Sequence, residues 1–154
     1  MTESPSMPPA GTSGNVGPSG PRANFGQRLV AALIDGALIF IVEVIFMQLI
    51  SPAAGYAIGI AAGHAYAGYL EGSPSGQTVG KKVMGIRVVD FATGGPIGFS
   101  RGVLRYLGKI VSSLVCLLGY FWMLWDKGKQ TWHDKIATTV VVPGAQYPVE
   151  KWPG

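Results

Sequence analysis

The chain has 154 residues, a formal net charge of +4 and an apolar content of 48%, yet only 13% of its residues are charged. That charged share is about half of what a water-soluble domain carries, and mean hydropathy is +0.33. So few charges do not cover a soluble surface, whereas hydrocarbon penalises charge and removes the need for it. The basic balance sits beside long apolar runs and no nucleic-acid reader motif accompanies it, which points to a membrane and away from nucleic acid.

Residues 1–24 are rich in Pro, Gly and Ser and have almost no apolar bulk to bury, so they are expected to form a disordered tail. They lack the basic start and apolar middle of a signal peptide. The first apolar segment, residues 29–50, is long enough to cross a hydrocarbon core of ~30 Å. Two acids, Asp35 and Glu43, interrupt it, and Ser51-Pro52 ends it.

The second segment, residues 53–70, is at the short end for a span. Gly55, Gly59 and Gly63 recur every four residues and Ala67 continues the row. That spacing lays a smooth stripe on one helix face and predicts close packing against a neighbouring helix. A polar connection follows. Residues 77–85 predict a short basic interfacial helix with Lys81 and Lys82 on its polar side. Residues 86–90 alternate and are β-branched, as a strand requires.

The third segment, residues 100–125, has two parts. Arg101, Arg105 and Lys109 form a basic stripe at four-residue spacing, opposed by Val103, Leu104 and Leu107. Residues 110–125 carry no charge and end in Trp122 and Trp125, which suit a membrane interface. About 16 residues make ~24 Å of helix, marginal for a crossing. Residues 138–142 read as a second strand, and residues 143–154 as a tail. Cys116, alone of its kind, reads as a small buried hydrophobe.

The link at Ser51-Pro52 carries no charge, while Arg22 and Arg28 precede the first segment and Lys81, Lys82, Arg87, Arg101 and Arg105 follow the second. The positive-inside bias then places the N-terminus and the middle connection in the cytoplasm. The two strand-like runs are expected to pair in one small cytoplasmic sheet. That pairing brings both ends of the third segment to one side, with a re-entrant turn near Gly108 or Gly119.

Motifs for catalysis are absent. Gly76-Gln77-Thr78-Val79-Gly80-Lys81-Lys82 resembles a phosphate loop, but only three residues separate its glycines and Lys82 stands where a Ser or Thr must hold magnesium. His64 and His133 have no Cys or acid cluster at metal spacing, and no Ser, His and acid arrangement is visible. No catalytic residue, cofactor or metal site is therefore expected.

The buried acids are the stronger signal. A charged Asp at the centre of a membrane helix costs ~2.5–3.5 kcal/mol on insertion scales. Arg28 and Asp35 are seven residues apart and lie on one helix face, with Glu43 on the same general side. They fit either an inward polar stripe that fixes packing or a proton or cation pathway.

The run Arg28-Leu29-Val30-Ala31-Ala32-Leu33-Ile34-Asp35-Gly36, the middle block of residues 76–90 and the block of residues 129–142 around Asp134 together resemble the RDD family of bacterial membrane proteins. The resemblance covers residues 25–142, which it marks as one membrane domain. It implies a multi-pass protein of the bacterial plasma membrane, with Arg28, Asp35 and Asp134 as signature positions. Transport, including sodium–proton exchange, has been suggested for members of the family. One departure is Thr138, which stands where the family commonly has glycine.

The fold expected is an all-α membrane protein: a two-helix transmembrane hairpin, a third membrane-embedded helical segment and a small cytoplasmic β element. The function expected is that of a non-enzymatic accessory or scaffold component, with an oligomeric cation or proton transporter as the alternative. Its partners are the lipid bilayer and either further copies of itself or another membrane protein. Arg28, Asp35 and Asp134 are expected to form one electrostatic unit.

Overall fold

The computed structural model describes residues 22–115 and 118–146. Cys116 and most of both tails lie outside the described residues. The described chain is mostly helical, with one small sheet.

Helix α1 (Phe25–Leu49) starts at a capping box in which Asn24 and Gln27 satisfy each other's backbone N–H groups, at 2.8 and 3.1 Å. It is long and apolar enough to cross a membrane. Only Ala31 on it is buried, and Leu33, Phe40 and Ile41 stand more than half exposed. Helix α2 (Pro52–Gly72) follows α1 after the two-residue link Ile50-Ser51, with Ser51 as its cap and Pro52 in its first turn. So short a link makes the two an antiparallel hairpin.

Helix α2 is the centre of the fold, packing on α1 along one side and on α4 (Gly98–Leu114) along the other. Its glycines allow this. A Cβ on Gly55 would sit 2.3 Å from Met47 Cγ, and one on Gly59 would sit 2.1 Å from Glu43 Cγ. Gly63 lies under the Tyr106 hydroxyl, and Gly68 faces Val103 and Gly102 of α4.

Between α2 and α4 come the short helix α3 (Val79–Val83) and strand β1 (Ile86–Asp90). After α4 the chain reverses. Helix α5 (Leu118–Phe121) packs back on α4, with Gly119 against Ser112, and a 3-10 turn (Trp122–Leu124) follows. Helix α6 (Trp132–Ile136) leads into strand β2 (Thr139–Pro143). Strands β1 and β2 pair antiparallel, Ile86 opposite Pro143 and Asp90 opposite Thr139. The third apolar segment therefore leaves and returns on one side. The reversal falls between α4 and α5, next to Gly119 and away from Gly108. Both glycines are also close-approach points, Gly108 lying against His133.

One face of the sheet packs Ile86, Val88 and Val141 on Ala23, Ala31 and Ile97, and the other carries Val89, Val140 and Val142 with Phe91. Both edges are covered: Ala23 N donates to Val141 O at 3.0 Å and Val88 N to Gly76 O at 2.8 Å. At Thr138, before β2, φ is +53°. This left-handed backbone, which favours glycine, is held here by a β-branched residue.

Helix α4 is inverted relative to a helix in water. Arg105 (1% exposed), Gly108 and Ser112 are buried, while Val111 (51%) and Leu114 (79%) point outward.

Candidate functional site

The buried face of α4 meets two carboxylates, Glu71 and Asp134, both wholly buried. Glu71 ends α2 and Asp134 belongs to α6. Arg105 joins them: its Nε donates to Glu71 at 2.8 Å, and its terminal nitrogen donates to Asp134 and to the Thr139 hydroxyl. Lys81 of α3 and Lys109 of α4 each reach the other Glu71 oxygen at 2.7 Å. Arg28 of α1 binds the second Asp134 oxygen at 2.5 Å and donates to Lys129 O and the Thr131 hydroxyl. One network of six charged side chains thus ties five helices to the start of β2. Its four cations outnumber its two carboxylates.

Asp134 is fixed by its own helix start, accepting from Thr131 N at 3.0 Å. Burial alone would raise its carboxyl pKa. The charges of Arg28 and Arg105 outweigh burial and hold it well below the usual carboxylate range. His133 moves the other way: burial lowers its imidazole well below the ordinary value, and the nearby cations add to this. It is neutral at neutral pH, so its 3.9 Å approach to Asp134 is not an ion pair. His133 Nε2 meets the Thr131 hydroxyl at 2.9 Å, and its buried Nδ1 has no hydrogen-bond partner among the described residues.

Asp35 does not meet Arg28. Seven residues of helix put roughly 10 Å of rise between them, and a different element reaches Asp35 first. The Thr78 hydroxyl donates to it at 2.6 Å, the Tyr66 hydroxyl at 2.8 Å and Gly80 N, in the first turn of α3, at 2.8 Å. Gly80 permits this approach, since a Cβ there would lie 2.1 Å from Ala31 O. The Thr78 hydroxyl also lies 3.4 Å from Lys81 Nζ, which links Asp35 to the network through one side chain. The expected unit of Arg28, Asp35 and Asp134 is therefore two adjoining clusters.

Glu43 lies against Gly59 and has no hydrogen-bond or ion-pair partner among the described residues. The helix α3 that sequence assigned to the interface has its two lysines divided, Lys81 buried and Lys82 exposed. His64 packs as a helix residue, its Nδ1 2.7 Å from Ile60 O and its ring against Tyr106. Among the described residues no cluster of His, Cys, Asp or Glu fits a metal ion.

A cavity of about 600 Å³ lies above the network. Arg28, Lys81, Arg105, Lys109 and His133 line one end, and Asp35 and Glu43 stand along α1. Helices α1 and α4 both pack on α2 but scarcely touch each other, so the cavity is open between them. The sequence gives no sign of Glu71 as a site residue, and it shows Arg105 and Lys109 only as part of a basic stripe opposed by Val103, Leu104 and Leu107, with neither face assigned to the interior. The available signal was their four-residue spacing inside a largely apolar segment, because lipid turns such a stripe inward.

The family model described as RDD family matches residues 22–138. A proline-rich antigen of Mycobacterium leprae is 45% identical over a stretch covering 49% of this chain and 30% of that relative. A proline-rich antigen homolog of Mycobacterium tuberculosis is 43% identical, with 49% and 31% covered. A Bacillus subtilis protein, YxaI, is 32% identical over half of each chain. The chain thus matches less than a third of the length of its mycobacterial relatives. No solved structure matches.

Proposed function

The chain belongs to the RDD family, and from that premise we propose that it is a multi-pass plasma-membrane protein working without catalysis, as an accessory component. In this reading α1 and α2 cross as a hairpin with the N-terminus in the cytoplasm. Helix α4 enters from the cytoplasmic side, and α5 brings the chain back to it. The observation that carries the reading is the inversion of α4, with Arg105 buried and Val111 and Leu114 turned out. In water that arrangement loses hydration and exposes apolar surface; in lipid both terms reverse. The basic residues flanking α1, α3 and α4, against the uncharged Ser51-Pro52 link, agree with the orientation. A cavity open between α1 and α4 needs a neighbouring molecule to close it, which favours a partner or further copies of the chain.

Single cysteines at Ser51, Ser75 and Ala145, each in a Cys116→Ser background, test the topology in intact cells. An impermeant reagent should label position 51 alone and reach 75 and 145 only after lysis. Labelling of position 145 from outside overturns the re-entrant reading in favour of a third crossing. Mass measurement in mild detergent separates a hetero-complex from a homo-oligomer.

The second reading, an oligomeric cation or proton transporter, is favoured by Asp35 and Glu43 standing along one cavity, Glu43 without a partner among the described residues. It requires a homo-oligomer. It also requires that Glu43→Gln fold normally and abolish cation or proton flux in proteoliposomes; unchanged flux rejects it.

A further inference from the structure

We infer that the basic end of the cavity holds the phosphate headgroup of an acidic phospholipid, with an acyl chain lying in the cleft between α1 and α4. This rests on the membrane reading above. Charge carries the first part. Arg28, Lys81, Arg105 and Lys109 stand against Glu71 and Asp134, and counting Asp35 as well still leaves one positive charge over. Glu43 lies eight residues beyond Asp35, about 12 Å of helix rise, and is too remote to neutralise that end. An uncompensated buried charge is costly, and a bound anion removes the cost.

Hydrogen bonding carries the second part. The Thr131 hydroxyl oxygen accepts from Arg28 and, in the capping box, from the Asp134 backbone N–H, which fills both lone pairs and leaves its own proton for His133 Nε2. The ring proton of the neutral His133 then sits on Nδ1, a buried donor without a partner among the described residues, in a residue that lines the cavity. An acceptor oxygen from a ligand satisfies it, and a cation does not. The cations and this donor line one cavity together, and groups of this kind bind phosphate-type oxygens.

Shape decides for a lipid over a free anion. The cavity's α1 side presents Leu29, Ile39 and Phe40, and Phe121 and Met123 contribute from the returning arm. Apolar walls leading to a basic floor match an amphiphile. A volume of about 600 Å³ is in the range of small-ligand sites. A basic pocket between helices on the cytoplasmic side is also where acidic lipid headgroups collect.

The test uses the full chain purified in a mild uncharged detergent, with thermal unfolding followed as phosphatidylglycerol, phosphatidylcholine or inorganic phosphate is added. Phosphatidylglycerol should protect saturably, with phosphatidylcholine and phosphate far weaker. Lys109→Gln should weaken the apparent affinity by about tenfold or more, the loss of one charge-assisted hydrogen bond. Lys109→Arg should retain binding, and Lys82→Gln, on the exposed side of α3, should bind like the parent protein. Each variant is compared with and without lipid, so a change in its own stability does not enter. Equal protection by inorganic phosphate overturns the lipid in favour of a free-anion site. Equal protection by phosphatidylcholine, no protection at all, or an unaffected Lys109→Gln overturns the site. Lipid binding in micelles does not depend on orientation in cells, so its failure beside the expected cysteine labelling counts against this inference alone.

Discussion

Replacing Arg105 with alanine should cost more than any other single truncation in the charge network. Arg105 is 1% exposed and reaches both Glu71 and Asp134, which are wholly buried. Removing one partner of a buried ion pair costs about 3–5 kcal/mol, because a charge is left without compensation. Here each acid retains help: Glu71 keeps Lys81 and Lys109, and Asp134 keeps Arg28 and Thr131 N. That moves the expectation to the lower end, about 3 kcal/mol. Arg28→Ala leaves Asp134 with the fully buried Arg105 and vacates a partly exposed position, so about 1.5–2 kcal/mol is expected, near one charge-assisted hydrogen bond. The assay is equilibrium unfolding in mixed detergent micelles, run on both variants under identical conditions. A triple variant, Arg105→Met with Glu71→Gln and Asp134→Asn, should recover part of the loss, since neutral packing often replaces buried ions without penalty. The reasoning is refuted if Arg28→Ala costs as much as Arg105→Ala, or if the triple variant is less stable than Arg105→Ala alone.

Three further outcomes follow from particular distances and angles. Gly80→Ala should destabilise by about 3 kcal/mol, combining a clash at Ala31 O with loss of the Gly80 N–Asp35 bond; an unchanged melting temperature would show that α3 does not hold Asp35. Stability should fall with acid in two stages. The lowered imidazole of His133 makes folding lose ground as pH drops below about 6.5, the value in the unfolded chain. The depressed carboxyl of Asp134 gives stability that is full above about pH 4 and is lost as pH falls toward its folded value. Melts of Asp134→Asn should therefore begin to approach those of the parent protein as pH falls below ~4, with Asp90 and Asp126, also depressed, adding to the acid sensitivity. Thr138→Gly should stabilise by about 0.5–1 kcal/mol, because relief of a left-handed β-branched residue exceeds the added flexibility of the unfolded chain; a loss of stability on the same melts rejects the strain.

The pairing of β1 with β2 was legible in two β-branched runs, and their basic surroundings placed both runs on one side. Once they pair, the fold-back of the third segment follows from connectivity. Arg28 and Asp134 were legible only through the family resemblance, since 105 residues separate them and no periodicity links them. The partners of Asp35 were not legible, because docking of the α3 start on α1 depends on Gly80 lacking a side chain, and a lone glycine carries no address. Glu71 was hidden for a related reason. Its three partners come from α3 and α4, and a single acid at a helix end gives no hint of them. The inward turn of Arg105 was not legible either, because a four-residue stripe has the same spacing whether its basic face meets water or the protein interior.

In the proposed membrane topology, the same inversion gives a reason for the third segment to fold back. Residues 110–125 are uncharged but give only ~24 Å of helix, less than a hydrocarbon core of ~30 Å. Folded in half, they make two short arms, the end of α4 and α5 with its 3-10 turn, which reach less than half that depth. The charges of Arg101, Arg105 and Lys109 then remain in the outer half of the descent. Each of these would cost ~2.5–3.5 kcal/mol at the centre of an isolated helix. Asp90 receives Arg101, Asp134 receives Arg105, and Glu71 receives Arg105 and Lys109. Two of those acids, Asp90 and Asp134, come from segments that occupy their places only when β1 and β2 are paired. In that topology the sheet that returns the chain to its starting side also brings in the counter-charges that offset the cost of placing α4 in lipid.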